Sequence, residues 1–214
     1  MKAYYAKATE RSSMKHTDHL EPGTLFILSG PSGAGKDAVL SRLLDQVDGL
    51  VRIVSYTSRL PRAEEQDGRE YHFVTPEEMH HLRQEGRLLE CTEYIPGVLY
   101  GMPKDPIDAH LAQGLDVIIK PEVRGGLEIR AQYPQAVTIF LAPPSVEEAI
   151  RRIQSRATDS PEQIARRAEV IKLELELGQQ YDYHVVNETG HLDETVEAIR
   201  AIIEAVRHQK QRSH

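Results

Sequence analysis

Two stretches of this chain have residue types and spacing that could handle phosphate. The first is Gly30-Pro31-Ser32-Gly33-Ala34-Gly35-Lys36, a G-x-x-x-x-G-K pattern. Glycines at these places let backbone N–H groups turn inward around an anion, and a following helix adds its positive N-terminus. The lysine brings a mobile cation to the β- and γ-phosphates of a nucleotide. The second stretch is Ser55-Tyr-Thr-Ser-Arg59-Leu-Pro-Arg62, continued by Gly68-Arg-Glu-Tyr71-His-Phe73. Its two arginines flank a proline-stiffened turn and a tyrosine follows on a strand. Guanidinium forks take phosphate oxygens in pairs, and a phenol hydroxyl adds a further hydrogen bond.

Asp37 stands directly after the loop lysine, where a Ser or Thr normally offers a hydroxyl to Mg²⁺. A carboxylate is a good ligand for a hard cation, so Asp37 is a candidate metal ligand; without the metal it would repel a triphosphate. The other reading is an acid that only satisfies the helix dipole.

These residues need elements to place them. The apolar run 24–29 reads as a buried strand, and Val39, Leu40, Leu43, Leu44 and Val47 recur at helical spacing after the glycine loop. Further strands are expected at Val51–Tyr56, Tyr71–Val74, Leu88–Tyr94, Asp116–Ile119, Ala136–Leu141 and His184–Val186. Helices are expected from Pro76, over Ile107–Gln113, Val146–Arg156, Glu162–Leu177 and Leu192–Val206. Strands alternating with helices argue for an α/β protein whose parallel sheet is covered on both faces. Residues 57–103 and 146–178 break the alternation and are candidate flaps.

The spacing S-x-T-x-R-x-P-R with G-x-x-Y-x-F, a short way after the phosphate loop, resembles the guanylate kinase family. The resemblance runs over about residues 23–207 and takes in Glu90, Tyr100-Gly101, the LAPPS run at 141–145, Arg152, Arg156, Arg167 and Asn187. It implies a P-loop kinase with a five-stranded parallel core sheet, a GMP-binding flap at about 54–103 and a helical lid at about 146–178. Residues 1–22 are expected to be a flexible leader, 23–208 the domain, and 209–214 a frayed tail. The activity implied is transfer of the γ-phosphoryl group of ATP to GMP, with Mg²⁺ accompanying ATP. Arg59, Arg62, Tyr71 and Tyr100 would hold the GMP phosphate, Ser55 and Glu90 would read the guanine, and Glu122 would lie on the GMP side. One carboxylate at Glu90 can accept from the adjacent N1–H and N2 amino group of guanine, whereas adenine presents an acceptor at N1. Arg156 and Arg167 would close over ATP, with Arg152 one helical turn before Arg156. Phosphoryl transfer depends on positioning and charge neutralisation, which suits cations delivered by a lid. Asn187 resembles the family's adenine-side position; a helix-capping turn is an equal reading.

Three positions depart from the family pattern. Met102 replaces the Ser or Thr after Tyr-Gly, and Lys120-Pro121-Glu122 replaces an acid-x-acid pair, keeping a carboxylate only at Glu122. Two other readings of the whole chain stay open. One is a kinase of a phosphorylated sugar of the ribose 1,5-bisphosphate type, whose loops also carry G-K-D; the other is a non-enzymatic interaction module of the same fold.

The 214 residues carry 33 acidic against 26 basic side chains, a net charge of −7, which argues against a nucleic-acid partner. The single cysteine, Cys91, rules out an internal disulfide. No apolar run approaches the ~20 residues that span a bilayer. The expectation is a cytoplasmic monomer or homodimer.

Overall fold

The computed structural model describes residues 21–62, 65–95, 97–154 and 161–212. In chain order the elements are β1 (Leu25–Ser29), α1 (Lys36–Gln46), β2 (Leu50–Arg52), β3 (Tyr56–Thr57), β4 (His72–Phe73), α2 (Pro76–Gln84), β5 (Leu88–Ile95), β6 (Val98–Pro103), α3 (Asp105–Ala112), β7 (Asp116–Ile119), α4 (Val123–Gln132), β8 (Val137–Ala142), α5 (Val146–Gln154), α6 (Pro161–Gly178), β9 (Tyr183–Val186) and α7 (Leu192–Arg212). Five strands form a parallel sheet in the order β2-β7-β1-β8-β9.

Residues of the central strand alternate between two cores, as the two-residue period of a strand demands. Phe26 and Leu28 face a cluster with Val39, Leu40 and Leu43 of α1 and Val196, Ile199 and Ile203 of α7. Leu25 and Ile27 face the other side, with Ile107 of α3, Val123 and Ile129 of α4, and Tyr181. Burial on both faces explains why β1 is apolar throughout rather than alternating.

A second sheet, ordered β4-β3-β6-β5, stands apart from the parallel one. Here the structure corrects the expected strand Val51–Tyr56: Leu50–Arg52 pairs with β7, while Tyr56 and Thr57 pair with β4 and β6. The chain therefore passes from one sheet to the other over residues 53–55, immediately before the arginine-rich turn. Helix α2 starts with a reciprocal cap, in which the Thr75 hydroxyl accepts from the Glu78 N–H and the Glu78 carboxylate from the Thr75 N–H. Strand β6 and helix α4 were not anticipated from the sequence.

Helix α7 runs to Arg212, six residues beyond its expected end and into the segment read as a frayed tail. Arg207 explains the difference, because it donates to the Asp116 carboxylate at 2.7 Å and to the Asp48 carbonyl, and Lys210 donates to the Pro22 carbonyl. The expected leader up to residue 20 lies outside the described residues.

Candidate active site

The phosphate loop leaves the C-terminal end of β1 and enters α1 at Lys36. Gly33 and Gly35 have φ of 82° and 91°, a backbone region that other residues adopt at a cost. A side chain at Gly35 would also collide with the Asn187 amide, with 2.3 Å between the added carbon and its nitrogen. Asn187 is buried; it donates to the Ala34 carbonyl at 2.8 Å and accepts from the Thr195 hydroxyl at 3.2 Å. Its amide thus braces the loop from behind, a role neither expected reading described. The Lys36 ammonium folds back onto the Gly30 and Pro31 carbonyls. Arg152 on α5 donates to the Gly33 and Asn187 carbonyls and to Thr189, so it joins the loop to the turn after β9.

Asp37 takes an unexpected partner. Its carboxylate lies 2.5 Å from the ammonium of Lys120, which stands just after β7. Desolvation works to raise the Asp37 pKa, but Lys120, helped by Lys36 and Arg52, holds it below the usual carboxylate value. The charge of Asp37 is thus balanced by a cation of the chain itself.

The second sheet carries the other expected group. Arg59 makes a two-pronged ion pair with Glu65, at 2.7 and 2.6 Å, and its guanidinium lies 5.3 Å from the Tyr71 ring centre and 5.6 Å from that of Phe73. The Tyr100 hydroxyl also hydrogen-bonds the guanidinium, and the Tyr100 ring meets Tyr71 edge-on. Glu65 further accepts from the Arg62 N–H. Arg59 and these bonds outweigh desolvation and pull the Glu65 pKa to about 2. The Arg59 fork thus already pairs with a two-oxygen anion of the chain itself.

Glu90 on β5 is 8% exposed and accepts from the Thr92 hydroxyl at 3.1 Å. Burial raises its pKa to about 7 against that bond, with smaller pushes from Glu128 and Glu122. It is paired in register with Met102 on β6, which is fully buried, and Ser55 contacts the Met102 sulfur at 3.9 Å. Ser55, Met102 and Glu90 therefore line one corner. Gly125 at the start of α4 leaves room for the Glu90 carboxyl, which an added side-chain carbon would approach to 3.3 Å. Glu122 stands at the N-cap of α4, near enough for its charge to act on Tyr71 and Glu90. Asp37 also acts on Tyr71, so the arginine–tyrosine cradle faces the mouth of the phosphate loop.

On the two lid helices, Arg167 is exposed on α6 and Arg156 lies outside the described residues. Helix α6 also provides Glu174, a residue the sequence reading missed. It accepts from the Ser32 N–H of the phosphate loop, and burial, with a push from Glu122, raises its pKa to about 7. Glu65 and Lys120 were missed as well. A glutamate six residues after Arg59 was a legible signal for Glu65; nothing in local spacing points Lys120 at Asp37. Among the described residues no group of three or more His, Cys, Asp or Glu could hold a metal, and no helix is long and apolar enough to cross a membrane.

Comparison with known proteins agrees with this geometry. The chain is 41% identical to a guanylate kinase of Nitrosospira multiformis over 186 residues, covering 87% of each chain. It is 42% identical to one of Streptococcus agalactiae, covering 86% of this chain and 88% of the relative. Among solved structures it superposes on the guanylate kinase of Anaplasma phagocytophilum with a TM-score of 0.70 at 28% identity, covering 86% of both chains. With the sequence model of the family matching residues 23–206, the chain belongs to the guanylate kinase family.

Proposed function

We propose that this chain transfers the γ-phosphoryl group of ATP to GMP, giving ADP and GDP. The observation that carries the acceptor's identity is Glu90, a buried carboxylate with a single side-chain donor, placed beside the Arg59–Tyr71–Tyr100 cradle. Guanine supplies two adjacent donors to that carboxylate, and the 5′-phosphate takes the place of Glu65 on the Arg59 fork. A GMP phosphate oxygen attacks the γ-phosphorus in line, the bond to the bridging oxygen of ADP breaks, and Lys36 neutralises the charge that builds on the phosphate chain. A ribose bisphosphate offers Glu90 only hydroxyl donors and not the paired N–H groups of guanine, so the sugar-kinase reading is not favoured.

Mg²⁺ fits the site as a partner of the nucleotide. With Asp37 beside the loop lysine, Glu174 also reaching the loop, and no three-carboxylate cage among the described residues, phosphates and water would provide most of its ligands. When bound, the ion screens the phosphate oxygens from the incoming acceptor. In this reading Arg62 joins Arg59 on the acceptor phosphate. Arg152, already bonded to the phosphate loop, lies on the ATP side, and Arg156 and Arg167 come down with the lid over about 146–178, toward the flap at about 54–103, in a cytoplasmic monomer or homodimer. ADP release measured with ATP against GMP, AMP, UMP and ribose 1,5-bisphosphate tests the proposal. Turnover with GMP far above the others is expected; equal turnover with AMP, or preference for the sugar, would overturn it.

A further inference from the structure

Asp37, in place of the usual Ser or Thr after the loop lysine, and Lys120, in place of an acid of the family pattern, are partners in space. Lys120 follows β7 and Asp37 opens α1, 83 residues apart, yet their charged ends are 2.5 Å from each other. The surroundings of the pair are topological. In the order β2-β7-β1, three neighbouring parallel strands end at the same edge of the sheet. Arg52 is the last residue of β2, Lys120 follows β7, and the loop after β1 leads to Lys36. Three cations, Arg52, Lys120 and Lys36, therefore gather around Asp37 at the mouth of the phosphate loop, with Glu174 of α6 also acting on Lys36, on the edge where open α/β sheets bind ligands.

The two members of the pair are unequally placed. The Asp37 side chain is 78% exposed and that of Lys120 only 14%. Asp37 can be solvated without help. Lys120 cannot, and burial drives its pKa down while Asp37 opposes the fall and Lys36 and Arg52 add to it. A mostly buried ammonium crowded by two other cations calls for negative charge, and a nucleotide polyphosphate entering this loop supplies more of it than one carboxylate does.

We propose that Lys120 is a phosphate-binding residue, held on Asp37 in the empty protein and turning to the outer phosphate oxygens of ATP when the loop is filled. This rests on reading the loop as an ATP site. The pair thereby exchanges one neutral arrangement for another: Asp37 is released to water or to the metal that accompanies the nucleotide, and Lys120 takes over part of the neutralisation a metal would otherwise supply alone. The consequence is a nucleotide affinity that depends less on divalent cation than the loop by itself would allow.

The test is ATP binding by isothermal titration calorimetry, without acceptor, in EDTA and in saturating Mg²⁺, on the full chain and on Lys120→Met and Asp37→Asn. Methionine keeps the buried stem of Lys120 and leaves only an exposed carboxylate behind, so Lys120→Met is expected to fold; thermal melting checks this. In EDTA, Lys120→Met should raise the Kd for ATP about tenfold or more, the size of one lost charge-assisted hydrogen bond. Asp37→Asn should lower it, because the phosphate no longer competes with a carboxylate for Lys120. In Mg²⁺ the gap between wild type and Lys120→Met should narrow. An unchanged Kd in EDTA for Lys120→Met overturns the inference, and so does an equal weakening in both variants, which would mark the pair as a structural brace. Failure of the wild type to bind ATP even with Mg²⁺ would remove the ATP reading itself.

Discussion

On the proposed reading, the glycine loop and the second sheet both hold phosphate, by opposite means. The loop relies on backbone: glycine conformations at 33 and 35, a brace from Asn187, and a helix start, all fastened to the most buried strand of the molecule. The acceptor sheet relies on side chains carried by short strands, two of them only two residues long, and its key arginine is held by rings and a carboxylate rather than by the core. A backbone cradle grips any polyphosphate and discriminates little. Side chains can be chosen to read one base. On the proposed reading, binding common to many nucleotides falls to the glycine loop and selection of one to the second sheet.

This division can be broken from either side. Removing the loop cation in Lys36→Met should lower kcat by ~10²–10³-fold while leaving the Kd for GMP nearly unchanged, measured by single-turnover rates and calorimetry. Met102→Ser restores the residue type of the family pattern at that position, but Met102 is fully buried in the core beside α4, so the truncation should cost about 2–5 kcal/mol of stability, read as a fall in Tm, before any gain in GMP affinity appears.

The pH dependence sharpens the same contrast. Glu90, with a pKa raised to about 7 by burial and by Glu128 and Glu122, would have to lose its proton to accept from guanine as proposed. GMP affinity should therefore fall by about tenfold between pH 8 and pH 6, and ATP affinity should not follow it. The sign for folding is the reverse. Because the folded-state pKa lies above the ordinary 4.5, the stability Glu90 contributes is present below that value and is lost as pH rises through about 7. Titrations of GMP binding and of melting temperature over this range check both.

Much of the donor side was legible in the sequence because it depends on local spacing. The glycine loop, the apolar run of β1, and β7 at Asp116–Ile119 fall where expected. The arginine turn was legible for the same reason. What escaped depends on contacts between distant segments. Helix α4 contains Gly125 and Gly126, poor helix formers, and is stabilised by what those glycines permit. At Gly126 any side chain would run into the Tyr181 hydroxyl, with 2.1 Å between them. Strand β6, with Gly101 and Pro103, has a loop's composition and becomes a strand by pairing with β5 and β3. The Asp37–Lys120 pair and the Glu174 bond to Ser32 join residues with no common period.

The claim that a selective acceptor sheet serves an unselective loop is tested most directly by the ratio of kcat/KM for GMP over AMP in the wild type and in Glu90→Gln. A neutral amide presents one acceptor and one donor where guanine presents two donors, so the ratio should fall by ~10²-fold or more while the KM for ATP stays within about twofold. A Glu90→Gln protein that still prefers GMP over AMP as strongly as the wild type would contradict the account.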